Sequence, residues 1–114
     1  MEQAWKTICP VEEIPRQGAR VLQREGMHDV AIFRNQQDQI FALLDRCPHK
    51  GGPLSQGMVV GDHVACPLHN WHIELRSGEA VSPDVGCAVR FAVRINDGVV
   101  QLNSQELADI GKVN

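Results

Sequence analysis

Large apolar side chains recur at every second position in two stretches of the chain, residues 71–75 (WHIEL) and 91–95 (FAVRI). A period of two predicts β-strands with one face buried and the other exposed to solvent. Residues 40–44 (IFALL) are apolar on both faces, which predicts a fully buried strand. Residues 5–9, 19–25 and 29–34 complete the set of predicted strands.

Turn residues separate these strands. The run Asn96-Asp97-Gly98 predicts a tight hairpin, and the polar residues 35–39 predict a hairpin loop. Residues 11–15 read as a turn, or as one helical turn that Pro15 ends, and residues 104–114 as a short helical turn with a frayed end. The predicted fold is an all-β sandwich or small barrel with one long, loop-rich insertion between residues 45 and 70.

Length and composition narrow the range of functions. The 114 residues predict a single domain, residues 1–114. A net charge of −3 excludes an electrostatic footprint for nucleic acid or anionic lipid. No apolar run approaches the roughly 18 residues of a membrane span, and the first residues lack the features of an export signal. We therefore expect a cytoplasmic protein.

The insertion carries the candidate chemistry. It contains Cys47-Pro48-His49 and, after sixteen residues, Cys66-Pro67-Leu68-His69, so each limb offers one thiolate and one imidazole. Such ligands suit zinc or an iron–sulfur cluster. Cys2His2 zinc fingers take both cysteines from one limb, whereas a [2Fe–2S] cluster with two cysteines on one iron and two histidines on the other needs mixed limbs. We interpret Cys47, His49, Cys66 and His69 as [2Fe–2S] ligands, with zinc and chance spacing as the alternatives.

The stretches CPHKGGPL (47–54) and CPLHNW (66–71) resemble the Rieske ferredoxin family. The resemblance implies stacked antiparallel sheets with a two-loop cluster-binding subdomain at about residues 45–72. It also implies that both histidines bind the outer iron near the surface, and that the protein carries one electron at a time. A contact surface for a partner is expected on the rim that includes Gly51, Pro53, Leu54 and Leu68.

Respiratory Rieske proteins, which the chain also resembles, add a disulfide and two hydroxyl groups near the cluster. The matching positions here hold Gly52, Leu68, Trp71 and Ile73. Hydrogen bonds to the sulfurs stabilise the reduced state, so their loss lowers the potential. We expect a potential toward the low end of the Rieske range, about −150 mV, which suits an electron intermediate fed by nicotinamide or flavin.

Several segments resemble the small subunit of assimilatory NAD(P)H-dependent nitrite reductase: WKTIC (5–9) with EEIP (12–15), VAIFR (30–34), LHNW (68–71), and GCAVR (86–90) through VRINDGVV (93–100). The resemblance implies a large partner subunit with flavin, sirohaem and a [4Fe–4S] cluster, which reduces nitrite to ammonium. The chain would then be an oxidoreductase subunit without catalytic residues of its own. The alternative is a free-standing ferredoxin that serves an aromatic-ring dioxygenase or similar oxygenase.

The remaining cysteines, aromatic residues and charges have structural interpretations. We expect Cys9 and Cys87 to be small buried hydrophobes, Trp5 to belong to the core, and Trp71 to be a packing wall. Solvated side chains are expected at His28 and His63. His72 falls on the face opposite Trp71 and Ile73, with a supporting role beside the site as the alternative. Arg46 and Lys50 are expected to be solvated, with contact to an acidic patch of a partner as the alternative.

Overall fold

The computed structural model describes residues 4–48, 51–68 and 70–111. Its strands are β1 (Trp5–Pro10), β2 (Gly18–Leu22), β3 (Val30–Arg34), β4 (Ile40–Leu44), β5 (Met58–Val60), β6 (His63–Ala65), β7 (His72–Glu74), β8 (Arg90–Phe91), β9 (Val93–Asn96) and β10 (Val99–Asn103). One helix, α1, spans Ser104–Asp109, and single 3-10 turns span Val11–Glu13 and Leu54–Gln56. Within the described ranges, no helix has the length and apolar content to span a bilayer.

The strands form three antiparallel sheets with the orders β1-β10-β9, β2-β3-β4-β8 and β5-β6-β7. The sheets β1-β10-β9 and β2-β3-β4-β8 make the scaffold. The third sheet, β5-β6-β7, comes from the part of the chain between β4 and β8. The 3-10 turn after β1, the hairpin loop at 35–39 and the turn at Asp97-Gly98 lie where the sequence predicts them. The predicted all-β class is confirmed, although the insertion holds two short strands, β5 and β6, as well as its loops.

The predicted strand over residues 91–95 is wrong in one respect, because the chain changes sheets at Ala92. Phe91 ends β8 and pairs with Ala42 of β4, whereas β9 pairs with β10. Phe91 is therefore buried, but Ile95 is 47% exposed on the edge strand of the other sheet. The apolar residues at 91, 93 and 95 alternate in the sequence, but they do not form one continuous buried face because they belong to two different sheets.

The expectation that Trp5 belongs to the core is also wrong. Trp5 starts the edge strand β1 and is only half-buried. The guanidinium of the exposed Arg94 lies 4.9 Å from the centre of its ring. Trp5 is covered by a cation–π contact on the outside of the sheet.

Asn35 fixes the third sheet to the scaffold. Its side chain is fully buried, and its Nδ2 donates to Asp62 Oδ1 and to Gln39 Oε1, both at 2.9 Å. Its Oδ1 accepts from the backbone amides of Gln37 and Gln39. Asp62 lies in the turn between β5 and β6, so this one amide joins the β3–β4 hairpin to the third sheet.

Candidate metal centre

The two candidate thiols lie at the ends of strands. Cys47 follows β4 after two residues, and Cys66 follows β6 directly. Both are 3% exposed and both belong to one apolar cluster, which also contains Leu54 and Ile73. None of the four cysteines of the chain, all within the described ranges, forms a disulfide. The fold therefore brings two buried thiols from distant parts of the sequence into the same core.

The first loop has a defined hydrogen-bond frame. The amide of Cys47 donates to the carbonyl of Gly52 at 2.7 Å, and the amide of Gly51 donates to the carbonyl of Cys47 at 2.9 Å. Gly51 has φ +72°, a left-handed conformation that closes the turn and suits glycine. These two hydrogen bonds tie both Gly51 and Gly52 back to Cys47.

The second loop repeats this frame residue for residue. The amide of Cys66 donates to the carbonyl of Trp71 at 2.7 Å, and the amide of Asn70 donates to the carbonyl of Cys66 at 2.9 Å. Asn70 has φ +56°, at the position where the first loop has its left-handed glycine, and asparagine tolerates this region better than most residues do. Two equivalent turns therefore present the two thiols.

Gly52 brings the loops together. A Cβ at this position would lie 3.2 Å from Cys66 Sγ and 2.8 Å from Cγ and Cδ1 of Leu68. The backbone of the first loop can approach the second thiol only because residue 52 has no side chain. Two buried, soft thiol donors with glycine backbone against them fit an iron–sulfur cluster.

The two predicted histidine ligands, His49 and His69, lie outside the described residues, as does Lys50. Within the described ranges, no three His, Cys, Asp or Glu side chains converge as a metal site would require. The thiols of Cys47 and Cys66 are thus the described half of the predicted four-ligand set.

The structure shows how exposed the predicted rim residues are. Leu68 is 52% exposed, Pro53 is exposed and Gly51 is half-buried. Leu54, in contrast, is fully buried, so its assignment to the rim is wrong. It starts the 3-10 turn after Pro53 and turns into the core beside the thiols.

Exposed apolar side chains border both loops. Met58 is 70% exposed, Val60 51%, Val85 86% and Val89 42%. Met58 and Val60 line one cavity with Cys66, Pro67 and Asn70, and Val89 lines another, of about 340 Å³, with Cys47 and Pro48. Sequence reasoning missed Met58 and Val60 because the three residues of β5 are too few for their alternation to be read, and it missed Val85 and Val89 because they lie outside any regular strand.

The two other cysteines differ from one another. Cys9 is buried, as predicted, and burial raises the pKa of its thiol. Cys87 is exposed and lines the cavity beside Cys47, so its assignment as a buried hydrophobe is wrong. Cys87 pairs with Glu79 in an isolated bridge, which the amides of Ala80 and Ala88 flank with hydrogen bonds to the carbonyls of Gly86 and Gly78. The thiol therefore lies outside any regular strand.

Several side chains near the loops make contacts that the sequence did not predict. Arg46 Nη1 donates to His28 Nε2 at 3.0 Å, so neither side chain is merely solvated. The guanidinium of Arg46 also lies over Gly51, 2.8 Å from where a Cβ would be.

His63 and His72 are half-buried and meet edge to face with ring centres 6.1 Å apart. Trp71 is half-buried against the apolar cluster of the thiols, as expected of a packing wall.

A scaffold of antiparallel sheets that presents two equivalent thiol loops defines a small iron–sulfur domain. The sequence matches the Rieske [2Fe–2S] domain family over residues 4–92. The chain belongs to this family, and its cofactor is a [2Fe–2S] cluster.

Individual relatives include both kinds of small Rieske protein. The chain is 34% identical over 102 residues to the anthranilate 1,2-dioxygenase ferredoxin subunit of Burkholderia cepacia, a match that covers 87% of this chain and 91% of the relative. Among solved structures, it is similar to a chain in the complex of reduced oxygenase and oxidised ferredoxin of carbazole 1,9a-dioxygenase, with a TM-score of 0.76, 27% identity and coverage of 85% and 99%. A structure provisionally assigned as an NADPH nitrite reductase small subunit gives a TM-score of 0.76, 25% identity and coverage of 89% and 99%.

Other curated relatives are much longer proteins. The chain spans 26% of the length of one oxygenase component that it matches, and 16% of the length of a monooxygenase. In those proteins the similarity is limited to one domain.

Proposed function

We propose that the chain is the small Rieske subunit of NAD(P)H-dependent nitrite reductase, in which Cys47, His49, Cys66 and His69 hold the [2Fe–2S] cluster. The observation that carries the electron-transfer role is the pair of equivalent loops with two buried thiols and Gly52 between them. When bound, the cluster supplies a centre that gains and loses one electron.

The protein's own residues hold and shield that centre. The two loop frames fix the Cys47 and Cys66 thiols, and the surrounding apolar cluster keeps water from them. A low-dielectric, fixed environment tunes the potential of a metal centre. The proposed subdomain of residues 45–72 needs one extension, because the third sheet runs on to Glu74.

The choice of nitrite reductase rests mostly on residues outside the ligand loops, together with LHNW (68–71) in the second loop. The opening strand, residues 30–34 and the segment from Gly86 to Val100 resemble nitrite reductase small subunits. The similar structure with that provisional assignment covers nearly all of both chains. The proposed partner is a large subunit with flavin and sirohaem, and the proposed setting is nitrate assimilation in the cytoplasm.

A free-standing dioxygenase ferredoxin is the second candidate. The observation that favours it is the 34% identity to a dioxygenase ferredoxin subunit over nearly the whole length of both proteins. The two candidates share the cluster and the fold, so they differ only in the partner.

An anaerobic pull-down separates them. The tagged chain is purified from its native cells grown on nitrate as the nitrogen source. Co-purification of a large sirohaem- and flavin-bearing polypeptide, with NAD(P)H consumption when nitrite is added, supports the nitrite reductase subunit. A chain that emerges alone with a Rieske spectrum contradicts it and supports the ferredoxin.

The ligand assignment has its own test, with a matched control in the same chain. Cys66→Ala should abolish bound iron and sulfide, while Cys9→Ala removes an equally buried thiol outside the site and should retain both. Iron, acid-labile sulfide and the visible spectrum are measured on each purified variant. Wild-type cluster content in Cys66→Ala would refute the assignment.

A further inference from the structure

We propose that Asp45 and Ser55 are positioning residues, whose paired hydrogen bonds set how closely the first loop lies against the second thiol. The proposal rests on the cluster assignment given under the proposed function. It concerns two residues that are not among the predicted ligands.

Both carboxylate oxygens of Asp45 accept hydrogen bonds from Ser55. Its Oδ1 accepts from the backbone amide of Ser55 at 2.7 Å, and its Oδ2 accepts from the hydroxyl of Ser55 at 2.6 Å. Its own backbone amide donates to the carbonyl of Asp29 at 2.9 Å, at the start of β3. Both side chains are half-buried. Hydrogen bonds to an ionised acceptor are shorter and stronger than those between neutral groups. We call this pair of residues the Asp45–Ser55 clasp.

The clasp closes the segment that contains the first loop. Asp45 lies two residues before Cys47, and Ser55 lies three residues after Gly52. Next to Ser55, the fully buried Leu54 anchors the same segment in the core. The loop is thus closed twice, by the clasp outside and by the hydrogen bond from Cys47 to Gly52 inside.

This closure determines the position of Gly52. A Cβ on Gly52 would lie 3.2 Å from Cys66 Sγ and 2.8 Å from the side chain of Leu68, so the first loop lies close against the second. If the clasp opens, the segment from Gly52 to Ser55 keeps Leu54 as its anchor but loses its fixed distance from the start of the loop. The contact of the first loop with the second thiol then loosens, although neither thiol has been altered.

The chain offers a matched control in Asp38. Its carboxylate also accepts several hydrogen bonds, from Arg16 and Arg34. It lies in the β3–β4 loop, at the opposite end of β4 from Cys47. Asp38 has φ +64°, so Asp38→Ala also introduces a left-handed alanine and is a demanding control for general destabilisation.

The experiment compares the cluster-loaded wild type with Asp45→Ala, Asp45→Asn, Ser55→Ala and Asp38→Ala. Three quantities are measured: the half-life of bound iron against an excess of an iron chelator, the visible circular dichroism, and the midpoint of thermal unfolding. Asp45→Ala should lose iron faster by a factor on the order of ten, the size expected for loss of hydrogen bonds to a charged group. Its visible dichroism should also change.

The other variants sharpen the test. Ser55→Ala removes one of the two hydrogen bonds and should show a smaller change in iron half-life and dichroism with the fold intact. If Asp45→Ala does not bind a cluster, Ser55→Ala is the variant that tests the proposal. Asp45→Asn keeps an acceptor for the Ser55 amide and should restore most of the iron half-life. Asp38→Ala should lower the unfolding midpoint while iron half-life and dichroism stay at wild-type values.

Two outcomes would overturn the proposal. One is wild-type iron release and dichroism in the clasp variants; the other is equal acceleration in Asp38→Ala, which would reduce the effect to general stability. Both leave the proposed function standing as long as wild-type protein binds the cluster and Cys66→Ala does not. Failure of the wild type to bind a cluster would refute the ligand assignment as well.

Discussion

Gly57→Ala should be the most destabilising single-methyl change in the cluster-binding part of the protein. Gly57 has an ordinary φ of −82°, so backbone conformation does not require glycine. The added Cβ would overlap the carbonyl oxygen of Ala65 and lie 3.0 Å from both its carbonyl carbon and Val64 Cγ2. The main obstacle is backbone, which cannot rotate away, and Ala65 directly precedes the proposed ligand Cys66.

The magnitude follows from what has to move. To restore contact distance, β5 and β6 must separate by about 1 Å, a shift that opens the pairing of Met58 with Ala65. Loss of one or two strand hydrogen bonds costs about 1 kcal/mol each, and the buried groups left without a partner cost about 1–3 kcal/mol more, which gives about 2–5 kcal/mol in all. The smaller unfolded-state entropy of alanine returns only about 0.4–1 kcal/mol. The net cost is a large fraction of the total stability of a small domain.

The assay is urea unfolding together with iron content, and Gly61→Ala is the control. Gly61 lies in the turn of the same β5–β6 hairpin with φ +58°, and its Cβ would meet nothing within 4 Å. Its substitution should cost only the left-handed conformation of one alanine, about 1–2 kcal/mol, and should leave iron content unchanged. If Gly57→Ala is no less stable than Gly61→Ala, or binds iron as the wild type does, the close approach of the strands is refuted.

Three further changes test other parts of the structure. Asn35→Ala should lower the free energy of unfolding by about 2–4 kcal/mol, because it removes four hydrogen bonds at a fully buried site; a loss below 1 kcal/mol in urea would contradict this. Hydrogen bonds from Arg16, and next from Arg34, hold the pKa of Asp38 at about 2, below its ordinary 3.8. Because the folded pKa is the lower one, Asp38 stabilises the protein above pH 3.8 and this contribution disappears as the pH falls toward 2, so Asp38→Asn should flatten the acid limb of a stability–pH curve, and an unchanged limb would refute the assignment. Leu68→Glu should keep the cluster spectrum yet slow electron transfer to the partner, whereas the same change at the distant, comparably exposed Ile95 should not; equal rates for both variants would place docking elsewhere.

The class of the protein was predictable because its signals are local. The buried run at residues 40–44, the Asp97-Gly98 hairpin and the paired cysteine motifs each depend on residues close together in the sequence. The close approach at Gly52 is a different case, because the 3.2 Å between a Cβ there and Cys66 Sγ depends on how two separate loops meet.

The wrong predictions share a physical cause, which is that burial is decided by distant parts of the chain. Leu54 turns inward because a 3-10 turn starts there, and Ile95 is exposed because the chain leaves one sheet for another at Ala92. Cys87 is exposed although its neighbour Ala88 is buried, in a segment that pairs with Glu79 through one bridge and not through a regular strand.

Polar partners were beyond sequence reasoning for a related reason. Asn35 bonds to a carboxylate 27 residues away, and Asp45 bonds to a serine 10 residues away. No periodicity or motif connects either pair. Folding alone brings them together, although both pairs hold the cluster-binding part of the protein in place.

The residues that define the class differ from those that select the partner. The two loops and their thiols serve any Rieske carrier equally well, so they do not distinguish a nitrite reductase from a dioxygenase. Around them, Met58, Val60, Leu68, Val85 and Val89 are exposed and apolar, and the charged residues Asp84 and Arg90 adjoin Val85 and Val89 in the sequence. Buried apolar area gives such a surface affinity, and the charges beside it contribute to orientation and specificity. We therefore expect the specificity for a partner to follow the shape of the apolar side chains and the charges next to them. Exchange of residues 85–89 should then alter the choice of partner.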